Sequence, residues 1–179
     1  MFEGIKAVAF DIDGTLYPSW ALYVRMPGYF LRHISFYLKY NRVRKQLHKT
    51  APLADFYEYQ ARLFGFVSSK PADESKKIIR QICYDGLKPF FTKIKPFAHV
   101  YDCVLAMKNA GLKIGILSDF PPEQKGDIWG IRSLCDVCIG SEESGALKPS
   151  IYPFGILSKK LGVAPSEILY EKIAPPYTL

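Results

Sequence analysis

The spacing of apolar and polar positions separates strands from helices along this chain. Residues 5 to 12, Ile-Lys-Ala-Val-Ala-Phe-Asp-Ile, read as a buried strand, and the turn signal Asp13-Gly14-Thr15 follows at once. Residues 97 to 110 place Phe97, Val100, Tyr101, Val104 and Leu105 at helical spacing, stop at Gly111 and lead into a second strand-like run, Leu112 to Ser118. A short helix is predicted near Glu123 to Leu134 and a third strand at Val137-Cys138-Ile139. A helix follows from about Ile151 to Leu161, ended by Gly162, and a last apolar run stands at Ile168-Leu169-Tyr170. Strands alternating with helices of this length predict an α/β fold with a three-layer, Rossmann-like parallel sheet, which collects ligands at the carboxyl ends of its strands. Asp11, Asp13 and Ser118 fall at such ends.

Between the first two strands lie roughly eighty residues that read almost wholly helical, too many for one crossover helix. Tyr29 to Tyr40 is apolar and aromatic around most of its circumference, and Arg42 to Lys49 is polar and basic. Leu53, Phe56, Tyr57, Leu63 and Phe64 mark another amphipathic helix, and Asp73 is placed to N-cap a further one through Ile78, Ile79 and Ile82. The pattern predicts a helical cap domain over residues 17–95, inserted into a core made of residues 1–16 and 96–179. Its hinges are predicted near Tyr17-Pro18 and Lys95-Pro96.

Composition narrows the class. With 179 residues, 49% of them apolar, the chain can bury one substantial core, and no low-complexity tract or internal repeat points to disorder or a solenoid. The N-terminal residues lack the layout of a signal peptide and no segment has membrane-spanning length, so no membrane span is expected. The four cysteines, Cys83, Cys103, Cys135 and Cys138, are scattered in a way that favours reduced thiols and a cytoplasmic setting. Cys135 and Cys138 form a CxxC without the second pair that a structural zinc site needs, and are read as packing residues beside a strand. The net charge is +7 and sits in the middle: residues 17 to 95 hold 15 Lys and Arg against 5 Asp and Glu. Such a patch attracts anionic substrates, nucleic acid and acidic membrane alike.

Chemistry enters with Asp11-Ile12-Asp13-Gly14-Thr15-Leu16. In extended chain, residues two apart point the same way, so Asp11 and Asp13 can reach one substrate, and Gly14 lets the backbone turn sharply. One carboxylate can attack phosphorus while its partner protonates the leaving oxygen and then activates water. Two carboxylates repel a phosphate, so a divalent cation and positive side chains must offset them, and Mg²⁺ suits oxygen ligands of this kind.

This segment resembles the first signature of the haloacid dehalogenase superfamily. Ser118, ending Ile-Gly-Ile-Leu-Ser, resembles its second signature, and Lys148, in Gly145-Ala146-Leu147-Lys148-Pro149-Ser150 after Ser141-Glu142-Glu143-Ser144, its third. The resemblance covers the core from about residue 4 to residue 170. It implies Asp11 as nucleophile, Asp13 as general acid and base, Ser118 and Lys148 as phosphate-binding groups, and Mg²⁺ held by Asp11 and Asp13. Members with an aspartate at the place of Asp13 are mostly Mg²⁺-dependent phosphatases, whereas the dehalogenases themselves lack it.

The sequence departs from that pattern at its end. The fourth signature, a Gly-Asp with a further acid that completes the metal site, should follow Ile168 to Tyr170, but Glu171-Lys172-Ile173-Ala174-Pro175-Pro176 stands there and no aspartate occurs after Asp136. Glu171 and Asp119 are the residues to weigh as substitute ligands. The abrupt change after Tyr170 suggests a C-terminally truncated core, from a shortened or frame-altered product. The first expectation is therefore an Mg²⁺-dependent phosphatase for a small phosphorylated metabolite. The alternatives are a phosphate-binding relative with little turnover, and a membrane-surface or nucleic-acid contact through Tyr29 to Lys49. A nucleic-acid partner is not expected, and the oligomeric state stays open.

Overall fold

A computed structural model describes residues 4–50 and 52–171. Four parallel strands, β1 (Ala7–Phe10), β2 (Lys113–Ser118), β3 (Val137–Gly140) and β4 (Ile168–Glu171), form one sheet in the order β3-β2-β1-β4. Alternation along the strands decides which residue meets which layer. Ala7, Ala9, Leu117, Val137 and Ile139 face one way and pack on Leu157 and Leu161 of the helix Ile151–Leu161. Val8, Phe10, Ile114 and Ile116 face the other way and join Val104 of the helix Val100–Asn109 in a second cluster. Gly115 permits close packing on the first face: a Cβ there would stand 3.2 Å from both Ala9 and Leu157, and these neighbours would have to give way by a few tenths of an ångström. The predicted α/β sheet is thus present, its strands buried on both faces as a parallel sheet demands.

The residues between β1 and β2 are helical. They form α1 (Trp20–Tyr23), α2 (Pro27–Arg32), α3 (Ile34–Leu47), α4 (Phe56–Ser68), α5 (Ala72–Ile79) and α6 (Lys88–Phe91), with a wide helical turn at Arg80–Asp85. The two helices of the sheet layers described above are then α7 (Val100–Asn109) and α8 (Ile151–Leu161). The second apolar cluster runs without a break from Val8 and Ile114 into Phe36, Tyr40, Val43, Phe64 and Ile79 of the insertion.

Three local expectations need correction. The stretch Tyr29 to Tyr40 is not one helix but two, broken at His33 (φ −114°, ψ 23°). Asp73 is not an N-cap: α5 starts at Ala72 after Pro71, and Asp73 sits in the first turn, where its charge still complements the helix dipole. The helix predicted from Glu123 to Leu134 is two short 3₁₀ turns, Pro122–Lys125 and Ile131–Leu134. Between them Gly126, Ile128, Trp129 and Gly130 all take positive φ, which no right-handed helix tolerates. Residues 172–179, where the sequence leaves the family pattern, lie outside the described residues.

Candidate active site

The carboxyl edge of the sheet gathers the residues singled out from the sequence. β1 ends at Phe10, which places Asp11 at the rim, its N–H bonded to Glu171 O at 3.1 Å. The chain then folds back on itself, with Thr15 and Leu16 N–H both reaching Ile12 O, and Gly14 takes φ +82°. That positive φ would strain any other side chain, and a Cβ would also stand 2.9 Å from Ser19 Oγ, which would have to shift.

Asp11 is buried. Ile12 N–H donates to its Oδ1 at 2.8 Å, and Lys148 Nζ lies 2.9 Å from the same oxygen. Burial pushes the Asp11 carboxyl up from its usual range, Lys148 opposes this, and the charges of Asp13 and Asp119 add to it. Lys148 Nζ stands close to three oxygens: Asp11 Oδ1, Leu117 O at 2.9 Å and Tyr170 Oη at 3.1 Å. Such a fixed fork of contacts holds a charged lysine in one place despite burial. The loop that carries it is pinned from the insertion. Leu53 N–H donates to Gly145 O at 2.9 Å, His48 Nδ1 lies 2.8 Å from Lys148 O, and Gly145 (φ +79°) leaves no room for a Cβ beneath Leu53.

Asp13 is set differently. Its Oδ2 is 2.9 Å from Lys125 Nζ, its Oδ1 accepts from the Tyr17 hydroxyl, and it lines a cavity of about 330 Å³ with Tyr17, Ser19, Asp119 and Phe120. Burial and the Asp13 charge raise the Tyr17 hydroxyl, which keeps its proton for that bond. Lys125 also donates to Ser118 Oγ at 3.3 Å, so one ammonium links the ends of β1 and β2. It is enclosed by the rings of Phe91 and Phe120. Asp11, Asp13, Ser118 and Lys148 are thus all brought to one end of the sheet.

Lys125, Tyr17 and Tyr170 were not singled out by sequence reasoning as site residues. The available signal for Lys125 was a lysine in a Pro-rich loop directly after a strand ending at the ligand-collecting edge. Of the substitute ligands, Asp119 does line the cavity, with its Oδ1 3.2 Å from Ser141 Oγ and 4.0 Å from Lys148 Nζ. Glu171 does not: its register partner is Phe10, and it lines a separate cavity with Phe10, Val100 and Leu169. Among the described residues, no group of three His, Cys, Asp or Glu could hold a metal ion. Burial raises the Cys135 and Cys138 thiols to about 12 and about 11, which suits packing residues and not reactive thiolates.

Comparisons with known proteins bear on this arrangement. A family model described as haloacid dehalogenase-like hydrolase matches residues 5–170. A glyceraldehyde 3-phosphate phosphatase of Methanopyrus kandleri is 27% identical over 175 residues, covering 93% of this chain and 74% of that protein. Among solved structures, a 2-haloacid dehalogenase from Pseudomonas syringae superposes with a TM-score of 0.59 at 16% identity, covering 93% of this chain and 76% of the other. A phosphatase from Thermococcus onnurineus gives a TM-score of 0.54 at 20% identity, covering 93% and 76%.

Proposed function

Since the chain belongs to the haloacid dehalogenase-like hydrolases, we propose that it is a phosphatase that cleaves a phosphate monoester of a small molecule through an aspartyl-phosphate on Asp11. The observation that carries this reading is Asp13. It is a second carboxylate, oriented by Lys125 and Tyr17 and open to the cavity, where an acid and base for the leaving oxygen has to stand. The phosphatase of Methanopyrus kandleri supports a phosphate ester over a carbon–halogen bond.

In this mechanism Asp11 Oδ1 is occupied by Ile12 N–H and Lys148, which leaves Oδ2 to attack phosphorus. The phosphorus–oxygen bond to the substrate breaks, and Asp13 donates its proton to the departing oxygen. Asp13 then takes a proton from water, which attacks phosphorus and releases Asp11 and inorganic phosphate. Ser118 Oγ and Lys148 Nζ bind the transferring group, since phosphoryl transfer depends chiefly on positioning and electrostatics. The insertion acts as a cap that keeps bulk water from the intermediate.

The donor set fits Mg²⁺ in part: Asp11 and Asp13 offer hard oxygen ligands, and Mg²⁺ commonly uses one or two carboxylates with water and substrate phosphate. When bound, the ion would neutralise charge between the carboxylates and the phosphate. The four unpaired cysteines suit a reducing, cytoplasmic setting.

Release of phosphate from p-nitrophenyl phosphate should be stimulated by Mg²⁺ and lost, by about 10⁴-fold or more, in Asp11→Asn. A second reading, a phosphate-binding protein with little turnover, draws on the lack of a three-acid cluster among the described residues. Phosphate affinity without any Mg²⁺-dependent turnover in the wild-type chain would decide for it.

A further inference from the structure

The cavity at Asp13 does not end there. A second cavity of about 570 Å³ shares Leu22, Tyr23, Leu87, Asp119 and Phe120 with it and runs beneath the first helices of the insertion. Its walls beyond that junction are chiefly apolar or aromatic, with Met26, Phe30, Tyr37, Tyr40 and Cys83, and its polar members are Asn41, Arg44 and His48. The most buried of these polar side chains is already committed. Arg44 bonds Glu142 and Gln60 and stands 4.6 Å from the centre of the Phe120 ring. The Tyr40 hydroxyl donates to Gln60 Oε1 at 3.0 Å. A sugar or polyol entering this space would find few partners beyond the unpaired Tyr37 hydroxyl, Asn41 and Asp119, whereas an apolar group meets rings and aliphatic side chains along most of the wall.

The rim repeats the theme. Tyr23, which lines both cavities, is 71% exposed, and Trp20 at the start of the same helix is 63% exposed. From Gly14 to Ala54 the sequence holds seven Lys and Arg and no Asp or Glu, so the segment that covers the cavity is basic as well as apolar, even with Arg44 paired to Glu142. Both properties match a molecule with an anionic head and an apolar body.

Resting on the phosphatase reading above, we infer that the substrate is an amphiphilic phosphate monoester. Its phosphate lies between Ser118 and Lys148, and its leaving group is an apolar chain or ring held between Phe30, Tyr37 and Phe120. The reaction itself is unchanged. What the second cavity adds is selection for an apolar alcohol and against a hydroxylated one.

Three esters with primary-alcohol leaving groups test this: 3-phenylpropyl phosphate, propyl phosphate and glycerol 3-phosphate. Their intrinsic reactivities are similar, so differences report on the cavity. With Mg²⁺ present, kcat/KM for the phenylpropyl ester should exceed that for glycerol 3-phosphate by about tenfold or more. Phe30→Ala, at a partly exposed position that tolerates truncation, should raise KM for the phenylpropyl ester alone. Equal kcat/KM across the three, or preference for the glycerol ester, overturns the inference and leaves the phosphatase reading standing.

Titration calorimetry with 3-phenylpropylphosphonate and methylphosphonate removes the dependence on turnover. Tighter binding of the former, together with no hydrolysis of any of the three esters, upholds the apolar subsite and overturns the phosphatase reading, and equal or absent binding overturns the subsite. Dodecyl phosphate presented in anionic or in neutral vesicles then separates the sources. Faster hydrolysis from the anionic vesicles, abolished by added salt, assigns the substrate to a bilayer surface, and equal rates assign it to solution.

Discussion

The sheet edge and the helical insertion handle charge in opposite ways. At the sheet edge, Asp11, Lys125 and Lys148 are buried and fixed by short polar contacts, as Lys148 is by Asp11, Leu117 and Tyr170. In the insertion, charges stand mostly in solvent, and the interior is made of rings, with Phe36 against Tyr37, Tyr40 and Phe64 at centroid distances of 5.1–5.2 Å. Rings in van der Waals contact set a volume and a polarity, whereas hydrogen-bonded charges set positions to a fraction of an ångström. On the proposed phosphatase reading, the sheet edge supplies the reaction and the insertion the choice of molecule.

One pair crosses the divide, and breaking it should have the largest effect on stability. Arg44 of α3 reaches across to Glu142, which also accepts from the Tyr84 hydroxyl at 2.9 Å, and both charges are buried. Arg44→Ala leaves a buried carboxylate without its cation and should lower the stability by about 3–5 kcal/mol, read as a reduced urea midpoint. The paired change Arg44→Met with Glu142→Leu removes both charges and should recover most of that loss. If the single variant costs no more than an exposed-residue change, the insertion is not tied to the sheet through this pair.

How much of this was legible in advance follows the same divide. Along the sheet, period-two alternation and strand-end turns sufficed: the observed strands lie within the predicted runs or pass them by one residue, and Asp11, Asp13, Ser118 and Lys148 converge because parallel strands bring their carboxyl ends together. The insertion was legible as helical, but its break at His33 was not, because nothing in the apolar pattern of Tyr29 to Tyr40 interrupts the helical period. Arg44 reads as one more basic residue in Arg42 to Lys49. Its burial depends on Glu142, nearly a hundred positions away, and no local signal reports that. The segment after Ser118 failed for another reason: Ile128 and Trp129 adopt positive φ, a conformation their side chains disfavour, and tertiary packing around the fully buried Ile128 overrides the local preference.

Lys125 sharpens the contrast at the sheet edge, where a smaller effect is expected. It bridges Asp13 and Ser118, so Lys125→Met should remove the group that orients both and lower kcat/KM by about 10–100-fold. Asp13 keeps its bond from Tyr17 and partial access to solvent, so the variant should fold normally. If the loss falls mainly on kcat, Lys125 orients the proton-transferring carboxylate; if mainly on KM, it serves the bound phosphate. Lys125→Arg, which keeps the charge, should restore part of the activity. No loss in Lys125→Met would reduce this lysine to a packing element between Phe91 and Phe120.

The smallest predicted effect concerns the price of placing Asp11 where it is. Burial and the neighbouring charges of Asp13 and Asp119 raise its folded-state pKa despite Lys148. A carboxyl raised in this way holds its proton more tightly in the folded chain than in the unfolded one, so its stabilising contribution is complete below the unfolded pKa and is lost as pH rises through the folded value. At neutral pH the ionised Asp11 is then a net burden. Asp11→Asn should therefore melt higher than the wild-type chain at neutral pH. The gain should shrink as the pH falls from neutral through the raised folded value, and should vanish near pH 4 and below, where both states of the wild-type residue are protonated. Thermal denaturation of the two proteins from pH 3.5 to pH 8 measures it. An Asn variant that melts lower at neutral pH would mean that Lys148 outweighs burial and that the nucleophile is held as part of a stabilising ion pair.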